Sequence, residues 1–352
     1  MANGNTSPSR VGLIEGGSDN DALFLKKFSG EILQTFDESN VFKALHTIRT
    51  IESGKSAQFP VTGIASAAYH TPGENIADGG NSYLSDIAKT EKIITIDKML
   101  VASTFLANID DVKNHYDIRS VYANELGKAL ALRFDTALAK VFCAAARDSA
   151  NLTQVGNSGG QLDVANNDFS APDTPGTVAA TTGADLVAAF FTAAQKLDEN
   201  DVPSDGRFCV LRPQEYYKLV TGADSSNSFS LVSAVNSDIG GQGSLASGSI
   251  PQIAGINIYK SNHIPSTDLQ TVSAGDGSSA NDVFKTGGVG YNGDFRNSLG
   301  IISHSAAVGT VKLLDLATES EYQIERQGTL FVAKYAMGHG VLRPECAIEL
   351  VA

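Results

Sequence analysis

The segment with the clearest chemical signature is glycine-rich and runs Gly288-Val-Gly-Tyr-Asn-Gly293. It matches the G-x-G-x-x-G pattern of dinucleotide-binding proteins, in which a strand precedes the glycines and a helix begins at them. That arrangement points the helix N-terminus at the pyrophosphate. Here a polar loop precedes the segment and Asp-Phe-Arg-Asn-Ser follows it, with only about 60 residues left in the chain. The context indicates a loop, and no nucleotide cofactor is predicted.

The histidines and cysteines show no spacing typical of a metal or nucleophile site. None of the six histidines forms an H-E-x-x-H or H-x-x-x-H pair, and the three cysteines include no C-x-x-C. Cys143 lies among alanines on a predicted helix, where packing explains it better than reactivity. We therefore predict no catalytic residue, no metal site and no cofactor. A cysteine–histidine pair that meets only in space stays open.

The composition predicts a folded acidic protein that is not a tight nucleic-acid binder. The 352 residues carry a formal net charge of −13, whereas proteins that bind nucleic acid tightly are usually basic. The widely separated cysteines favour reduced, buried thiols over a disulfide framework. The polar start of the chain predicts no secretory signal. The longest apolar stretch, around Leu186–Ala194, is too short to cross a membrane.

Near the N-terminus, a helix is predicted to begin at about Ser18, with Asp21 as the acid of a capping box. Leu25, Phe28 and Ile32 recur at helical spacing and form one apolar face. This face packs either on its own domain or, as an arm, on a neighbouring subunit. The periodicity alone leaves both interpretations open.

Residues 50–96 combine two predicted strands with a long connection that contains glycine and proline. Alternating apolar residues mark the strands, one through Phe59 and the other through Ile94. Two long strands cannot bury their apolar faces on each other alone, so another surface must cover them. A neighbouring subunit is one candidate, with Phe59 and Tyr69 in contact. A flexible surface loop is the other interpretation.

One long helix is predicted for about 111–149, from an apolar stripe that includes Tyr122, Leu130 and Leu138. Its continuous part spans roughly 50 Å and exceeds the diameter of a small domain, so the helix must act as a spine. Gly127 lies inside it. This glycine is either tolerated at a close packing contact or serves as a bending point.

The remaining elements follow no βαβ rhythm, which predicts an α+β fold. A helix should follow Thr182, and a short buried strand should cover Phe208–Leu211. Further strands are predicted around Ile256–Ile258, over Ile324–Ala333 and over Ala347–Val351.

Two groups of charged residues are candidates for fixing subunit orientation. Arg119 lies one helical turn after His115, and Gly338-His-Gly340 precedes Arg343 and Glu345. Local capping and turn formation is the favoured interpretation of both groups. For Arg343 and Glu345 the alternative is a salt-bridge network, since arginine offers a rigid two-pronged donor.

Long strings in several parts of the chain carry a family resemblance: Leu23–Glu31, Ser53–Val61 (with Lys55), Ala68–Asn75, Thr90–Asp97, Asn114–Ser120 and the stretch from His304 to Glu345. Together they resemble the major capsid proteins of short-tailed phages of the autographivirus, or phage T7-like, group. The strings occur in the same order, and strings of this length are highly specific. Departures concentrate in residues 151–182 and 220–290.

The resemblance implies an α+β fold of the HK97-like capsid type, in which four named parts are expected. By segment they are the N-arm (1–50), the E-loop (51–96), the P-domain with its spine helix (97–150 and 310–341) and the A-domain (151–309 and 342–352).

The resemblance also implies a structural protein and not an enzyme. Hexamers and pentamers of the chain would tile an icosahedral shell, of triangulation number seven, around the double-stranded DNA genome. Scaffolding protein would guide a precursor that expands as a portal-bound motor packages DNA. Decoration proteins are further expected partners on the outer surface, and no membrane partner is expected. The acidic charge suits weak, non-specific contact with the packaged DNA.

The expected location is the virion capsid, after assembly in the cytoplasm of the host bacterium. The alternatives are the shell of a cellular nanocompartment with the same fold, or a soluble α+β enzyme. Gly127 is the candidate hinge. The candidate subunit-interface residues are Leu25, Phe28, Ile32, Lys55, Phe59, Tyr69, Arg119, Arg343 and Glu345.

Overall fold

The structure is a computed structural model in which the chain divides into two compact units. The smaller unit takes Lys98–Phe134 and Leu314–Met337, and the larger takes Val41–Asp97, Asp135–Leu313 and Gly338–Ala352. The predicted N-terminal helix, with Leu25, Phe28 and Ile32, and the glycine-rich loop at 288–293 lie outside the described residues. The structure describes residues 40–76, 83–84, 87–96, 99–109, 118–152, 157–169, 181–221, 252–267 and 294–352.

Strands and helices are numbered in chain order through the described residues. The first half contains β1 (Thr47–Thr50), β2 (Ser56–Thr62), β3 (Lys89–Thr95), β4 (Leu100–Ala107), α1 (Ile118–Arg147), β5 (Gly160–Asp163) and α2 (Gly183–Glu199). The second half contains β6 (Arg207–Leu211), α3 (Pro213–Thr221), β7 (Gln252–Ile253), β8 (Ile256–Lys260), β9 (Ser298–His304), β10 (Val308–Gln323), β11 (Gly328–Val341) and β12 (Ala347–Val351).

The larger unit is built on a six-stranded mixed sheet with the strand order β5-β12-β9-β6-β8-β7. The central strands β12, β9 and β6 pair antiparallel, whereas β5 and β8 run parallel to their inner neighbours. Every residue of β6 and β12 is buried, as expected for strands covered on both faces. The mixture of helices with parallel and antiparallel strands confirms the α+β prediction.

The long helix α1 is continuous from Ile118 to Arg147 and has 30 residues, which corresponds to about 45 Å. The predicted start near 111 lies outside the described residues. Leu130 and Leu138 are buried as predicted, but Tyr122 is 39% exposed and does not belong to the buried stripe. The helix passes through Gly127, which is buried, without a break.

In the smaller unit, β4 pairs antiparallel with β11, from Gly328 opposite Ala107 to Tyr335 opposite Leu100. The rings of Phe134 on α1 and Tyr335 on β11 meet edge to face, with centroids 6.3 Å apart. This arrangement is a favourable aromatic geometry. It joins the sheet of this unit to its segment of the helix.

The prediction of one strand over Ile324–Ala333 is wrong in its first part. A 3₁₀ turn at Ile324–Arg326 ends β10, and Gln327 has a φ of 50° before β11 begins. Ile324 is 74% exposed, so the alternation of apolar residues that includes it does not mark a buried strand face at this position. A left-handed residue reverses the chain here, although no glycine occupies the position.

The interpretation of Gly338-His-Gly340 as a turn is also wrong, because all three residues lie within β11. Successive residues of a strand point to opposite faces, so the two glycines lie on one face and His339 points to the other. There His339 Nδ1 lies 2.8 Å from Thr310 Oγ1. Burial lowers the pKa of His339 to about 3, with a smaller contribution from the neighbouring His46.

The helix predicted after Thr182 is confirmed as α2. Its first turn is closed by a capping box, in which the Thr182 hydroxyl accepts from the Asp185 amide and the Asp185 carboxylate accepts from the Thr182 amide. Helix α3, which begins at Pro213, was not predicted. Its signal is the proline at the first helical position followed by Glu215 in the first turn.

We predict that Thr182→Ala lowers the free energy of unfolding by about 1 kcal/mol, because the Asp185 amide at the start of α2 loses the hydroxyl that accepts its hydrogen bond. Urea denaturation followed by circular dichroism measures the change. Thr182→Ser keeps the hydroxyl and serves as the control, with stability close to that of the unsubstituted chain. Equal losses in both variants would show that the hydroxyl contributes nothing.

Candidate assembly surface

The strands β2 and β3 form an antiparallel hairpin in the larger unit, from Ser56 opposite Thr95 to Thr62 opposite Lys89. At its base, Ala57 and Ile94 are buried together with Val311 of β10. Phe59, a predicted interface residue, is partly buried against this cluster. The apolar contacts of the hairpin with the rest of its unit are therefore concentrated at the base.

Beyond the base, the hairpin and its connection expose apolar side chains to water. Tyr69, another predicted interface residue, is fully exposed. Most apolar residues of a folded domain are covered, and a group of exposed ones on a protruding element is typical of a protein contact surface. The other large exposed apolar residues in the described part of this segment are Ile64, Ile76, Leu84 and Ile87 and, at the base itself, Ile93.

Polar contacts also stabilise the base of the hairpin. Arg49 on β1 donates from Nη1 to the Gln58 carbonyl oxygen at 3.0 Å, and its guanidinium carbon lies 5.4 Å from the Phe59 ring centroid. Lys55 contributes its carbonyl oxygen to the Ile96 amide at 2.8 Å, while its side chain is exposed. The Lys55 ammonium group is thus available for contact outside the chain.

The remaining interface candidates occupy different positions. Arg119 lies on α1, but its side chain falls outside the described residues. Arg343 Nε donates to Glu345 Oε1 at 2.7 Å, at a 3₁₀ turn formed by Pro344–Cys346. Glu345 is buried and Arg343 is half exposed. The two side chains thus pair with each other within the chain, and part of the guanidinium stays accessible.

A buried polar cluster that sequence reasoning missed joins the end of α1 to the six-stranded sheet. Arg147, at the last position of α1, contacts Glu349 on β12 through two bonds of 2.6 Å, from Nε and Nη2. Gln161 Nε2 donates to the same carboxylate at 3.0 Å, and the Ser298 hydroxyl also donates to it. Glu349 is completely buried, so the four hydrogen bonds from these three side chains replace water.

The cluster sets the charge states of its members. Burial opposes the charge of Arg147, but the hydrogen bonds and the negative charge of Glu349 outweigh it and raise the pKa of the guanidinium. Burial, and then the Glu349 charge, raises the pKa of the Cys143 thiol well above its usual range. All three cysteines are free and buried, which confirms the prediction of buried thiols outside a disulfide framework.

A second buried carboxylate connects three segments of the larger unit. Asp135 on α1 is completely buried and accepts from the backbone amides of Val41 at 2.8 Å and Phe42 at 3.4 Å. His263 Nδ1, after β8, lies 3.0 Å from the same carboxylate. Asp135 therefore fixes the chain just before β1 to the helix and to a loop of the sheet.

The buried contacts of Glu349 and Asp135 connect elements of the larger unit to one another. Within the described ranges, no three side chains of metal-ligating type come together. In the same part of the chain, no helix is long and apolar enough to span a bilayer. Glu349 and Asp135 are buried and paired within the chain, whereas the β2–β3 hairpin and its connection expose apolar side chains.

We predict that Arg147→Met destabilises the chain by about 3–5 kcal/mol, because it leaves the Glu349 carboxylate buried without its cation. Urea denaturation measures this loss. Lys128→Met is the matched control on the same helix, since Lys128 and its partner Glu125 are 58% and 67% exposed. The control should lose less than about 0.5 kcal/mol. Equal losses in the two variants would contradict a structural role for the buried pair.

Comparison with known proteins agrees with this picture. The family described as Gp10A-like, major capsid protein, matches residues 58–351. The major capsid protein of Escherichia phage T7 is 35% identical over 348 residues, covering 97% of this chain and 94% of that protein. The major capsid protein of Enterobacteria phage T3 is 32% identical over 349 residues, covering 95% of this chain and 92% of that protein.

The solved capsid structure of cyanophage P-SCSP1u has 39% sequence identity and a TM-score of 0.72, and the match covers 99% of both chains. The HK97-like fold expected from the resemblance is confirmed, and a phage capsid protein is favoured over a nanocompartment shell protein or an enzyme. The chain belongs to the Gp10A-like family of major capsid proteins, which form the virion capsid of T7-like phages.

Proposed function

We propose that this chain assembles as hexamers and pentamers into an icosahedral shell around double-stranded DNA, and that it has no catalytic activity. The observation that carries the proposal is the β2–β3 hairpin, whose outer part exposes apolar residues that its own unit does not cover. A neighbouring copy of the chain is the surface that would bury them. Burial of apolar area favours such a contact by roughly 25 cal/mol per Å², from which the cost of the freedom lost on association is subtracted.

The proposed domain map assigns the N-arm to 1–50, the E-loop to 51–96, the P-domain to 97–150 and 310–341, and the A-domain to 151–309 and 342–352. The β2–β3 hairpin falls within the E-loop range, and α1 falls within the P-domain range. All six strands of the large sheet fall within the A-domain ranges. These coincidences support the map.

In this proposal the neighbour contacts involve the exposed hairpin residues first. Tyr69 would supply an aromatic anchor, Phe59 the inner end of the apolar surface, and Lys55 a charge at its edge. Arg343 would use the accessible part of its guanidinium while Glu345 keeps it oriented. The N-arm residues Leu25, Phe28 and Ile32, together with Arg119, complete the proposed contacts.

The proposed partners beyond the chain itself are a scaffolding protein, a portal and, on the outer surface, decoration proteins. Packaged DNA would touch the shell weakly and without sequence preference. The net charge of −13 supports this, because a negatively charged wall gains little from phosphate contacts. Weak contact keeps the genome free to enter and leave.

We predict that the chain co-expressed with the scaffolding protein of its phage forms closed shells visible by negative-stain electron microscopy. Tyr69→Asp should reduce shell yield at least tenfold without changing the unfolding temperature of the unassembled chain, because Tyr69 touches solvent in the isolated copy. Tyr69→Phe keeps the apolar ring and is the control, with unchanged yield. Small discrete particles that turn over a substrate would contradict the proposal.

A second prediction concerns Gly127, the proposed bending point of α1. Glycine inside a helix costs up to about 1 kcal/mol relative to alanine, so Gly127→Ala should stiffen the helix and keep the chain folded. We expect the variant to shift the balance between precursor and expanded shells. The measurement is the temperature at which purified precursor shells expand. An unchanged threshold would refute the hinge.

A further inference from the structure

Three glycines on β10 and β11 face the base of the β2–β3 hairpin. A Cβ atom added at Gly338 would lie 2.1 Å from the Thr95 carbonyl oxygen and 2.9 Å from Ile96 Cα. Both neighbours are backbone atoms, so a rotamer change cannot remove the clash. Gly338 does not adopt a positive φ, and so the need for glycine comes from space and not from backbone conformation.

The other two glycines make room for one side chain of the hairpin. A Cβ at Gly340 would lie 2.7 Å from Ile94 Cγ1, and a Cβ at Gly309 would lie 3.3 Å from Ile94 Cδ1 and 2.7 Å from Leu342 Cδ1. Ile94 is 3% exposed. Its side chain thus occupies the volume that a side chain at position 340 would have filled, and at position 309 Ile94 and the nearer Leu342 fill that volume together.

The polar contacts beside this packing cannot by themselves hold the hairpin in one direction. Lys92 Nζ lies 3.4 Å from Asp148 Oδ2, with the two side chains 31% and 40% exposed. Exposed ion pairs of this kind contribute about 0–1 kcal/mol and are screened by salt. The bond from Arg49 to the Gln58 carbonyl is also exposed. The direction is therefore set mainly by close packing on the glycines, against the Thr95 backbone at Gly338 and against the Ile94 side chain at Gly340.

We propose that Gly309, Gly338 and Gly340 form a seat that sets the direction in which the hairpin leaves its unit, and thereby selects its contact with a neighbouring copy. The inference rests on the proposed assembly function. Each strand of the hairpin is 7 residues long, which corresponds to about 23 Å. A tilt of roughly 10° at the base would move the far end by about 4 Å over that length. This displacement exceeds the tolerance of close-packed contacts.

The test compares shell yield and diameter after co-expression with the scaffolding protein. Gly340→Ala should reduce correctly sized shells at least tenfold, because the added methyl group pushes against Ile94. The double variant Gly340→Ala/Ile94→Ala removes the opposing atoms and should recover most of the yield. Gly338→Ala should lose yield equally, and Ile94→Ala should not rescue it, because its clash is with the Thr95 carbonyl.

Each outcome has a distinct meaning. If the unsubstituted chain forms no shells, the assembly function itself fails. If that chain forms shells and Gly340→Ala forms shells of the same size and yield, the seat is refuted. If Gly340→Ala does not fold by circular dichroism, the double variant decides: recovered folding and shells support the seat. Failure of the double variant to improve on Gly340→Ala overturns it.

Discussion

The bidentate contact between Arg147 and Glu349 determines where the long helix ends on the six-stranded sheet. Glu349 is buried in the middle of a strand whose residues are all buried, and a carboxylate there is stable only with complete hydrogen bonding. Arg147, Gln161 and Ser298 provide it from a helix end and two further strands. One charged pair therefore fixes the relative position of four chain segments within the larger unit. Exchanging the arginine for a lysine would lose the fork that makes this geometry specific.

The β2–β3 hairpin extends from the larger unit with little of its own surface buried. Its base is held by Ala57, Ile94 and the glycines of β10 and β11, where small residues allow backbones to approach closely. Its outer part carries Tyr69 and other apolar side chains that water covers in a single copy. Such a division suits a subunit of a shell. The six-stranded sheet and the end of α1 must be folded before assembly, whereas the apolar surface of the hairpin becomes stable only when a neighbour covers it.

The sequence predictions that the structure confirms for these elements are those with a local physical cause. The helix after Thr182 follows from a capping box within four residues, and the buried strand at Phe208–Leu211 follows from an uninterrupted apolar run. The failures have local causes as well. The strand predicted from Ile324 ignored a turn whose left-handed residue is Gln327, and Gly338 and Gly340 were interpreted as turn formers although they are strand residues. Glycine permits both a turn and a close approach, and sequence cannot tell which use applies.

By itself the sequence determined the class of protein: an acidic α+β chain without a metal or nucleophile motif, with a long helix and a resemblance to phage major capsid proteins that the comparisons confirm. Those properties depend on composition, on periodicity and on strings of neighbouring residues. Only the tertiary structure decided that Arg147 meets Glu349, that Asp135 binds the amides before β1, and that the hairpin rests on glycines. These partners lie between about ninety and more than two hundred residues apart in the chain. The reason is physical: a contact between distant segments is created by the packing of whole elements, and no local pattern records it.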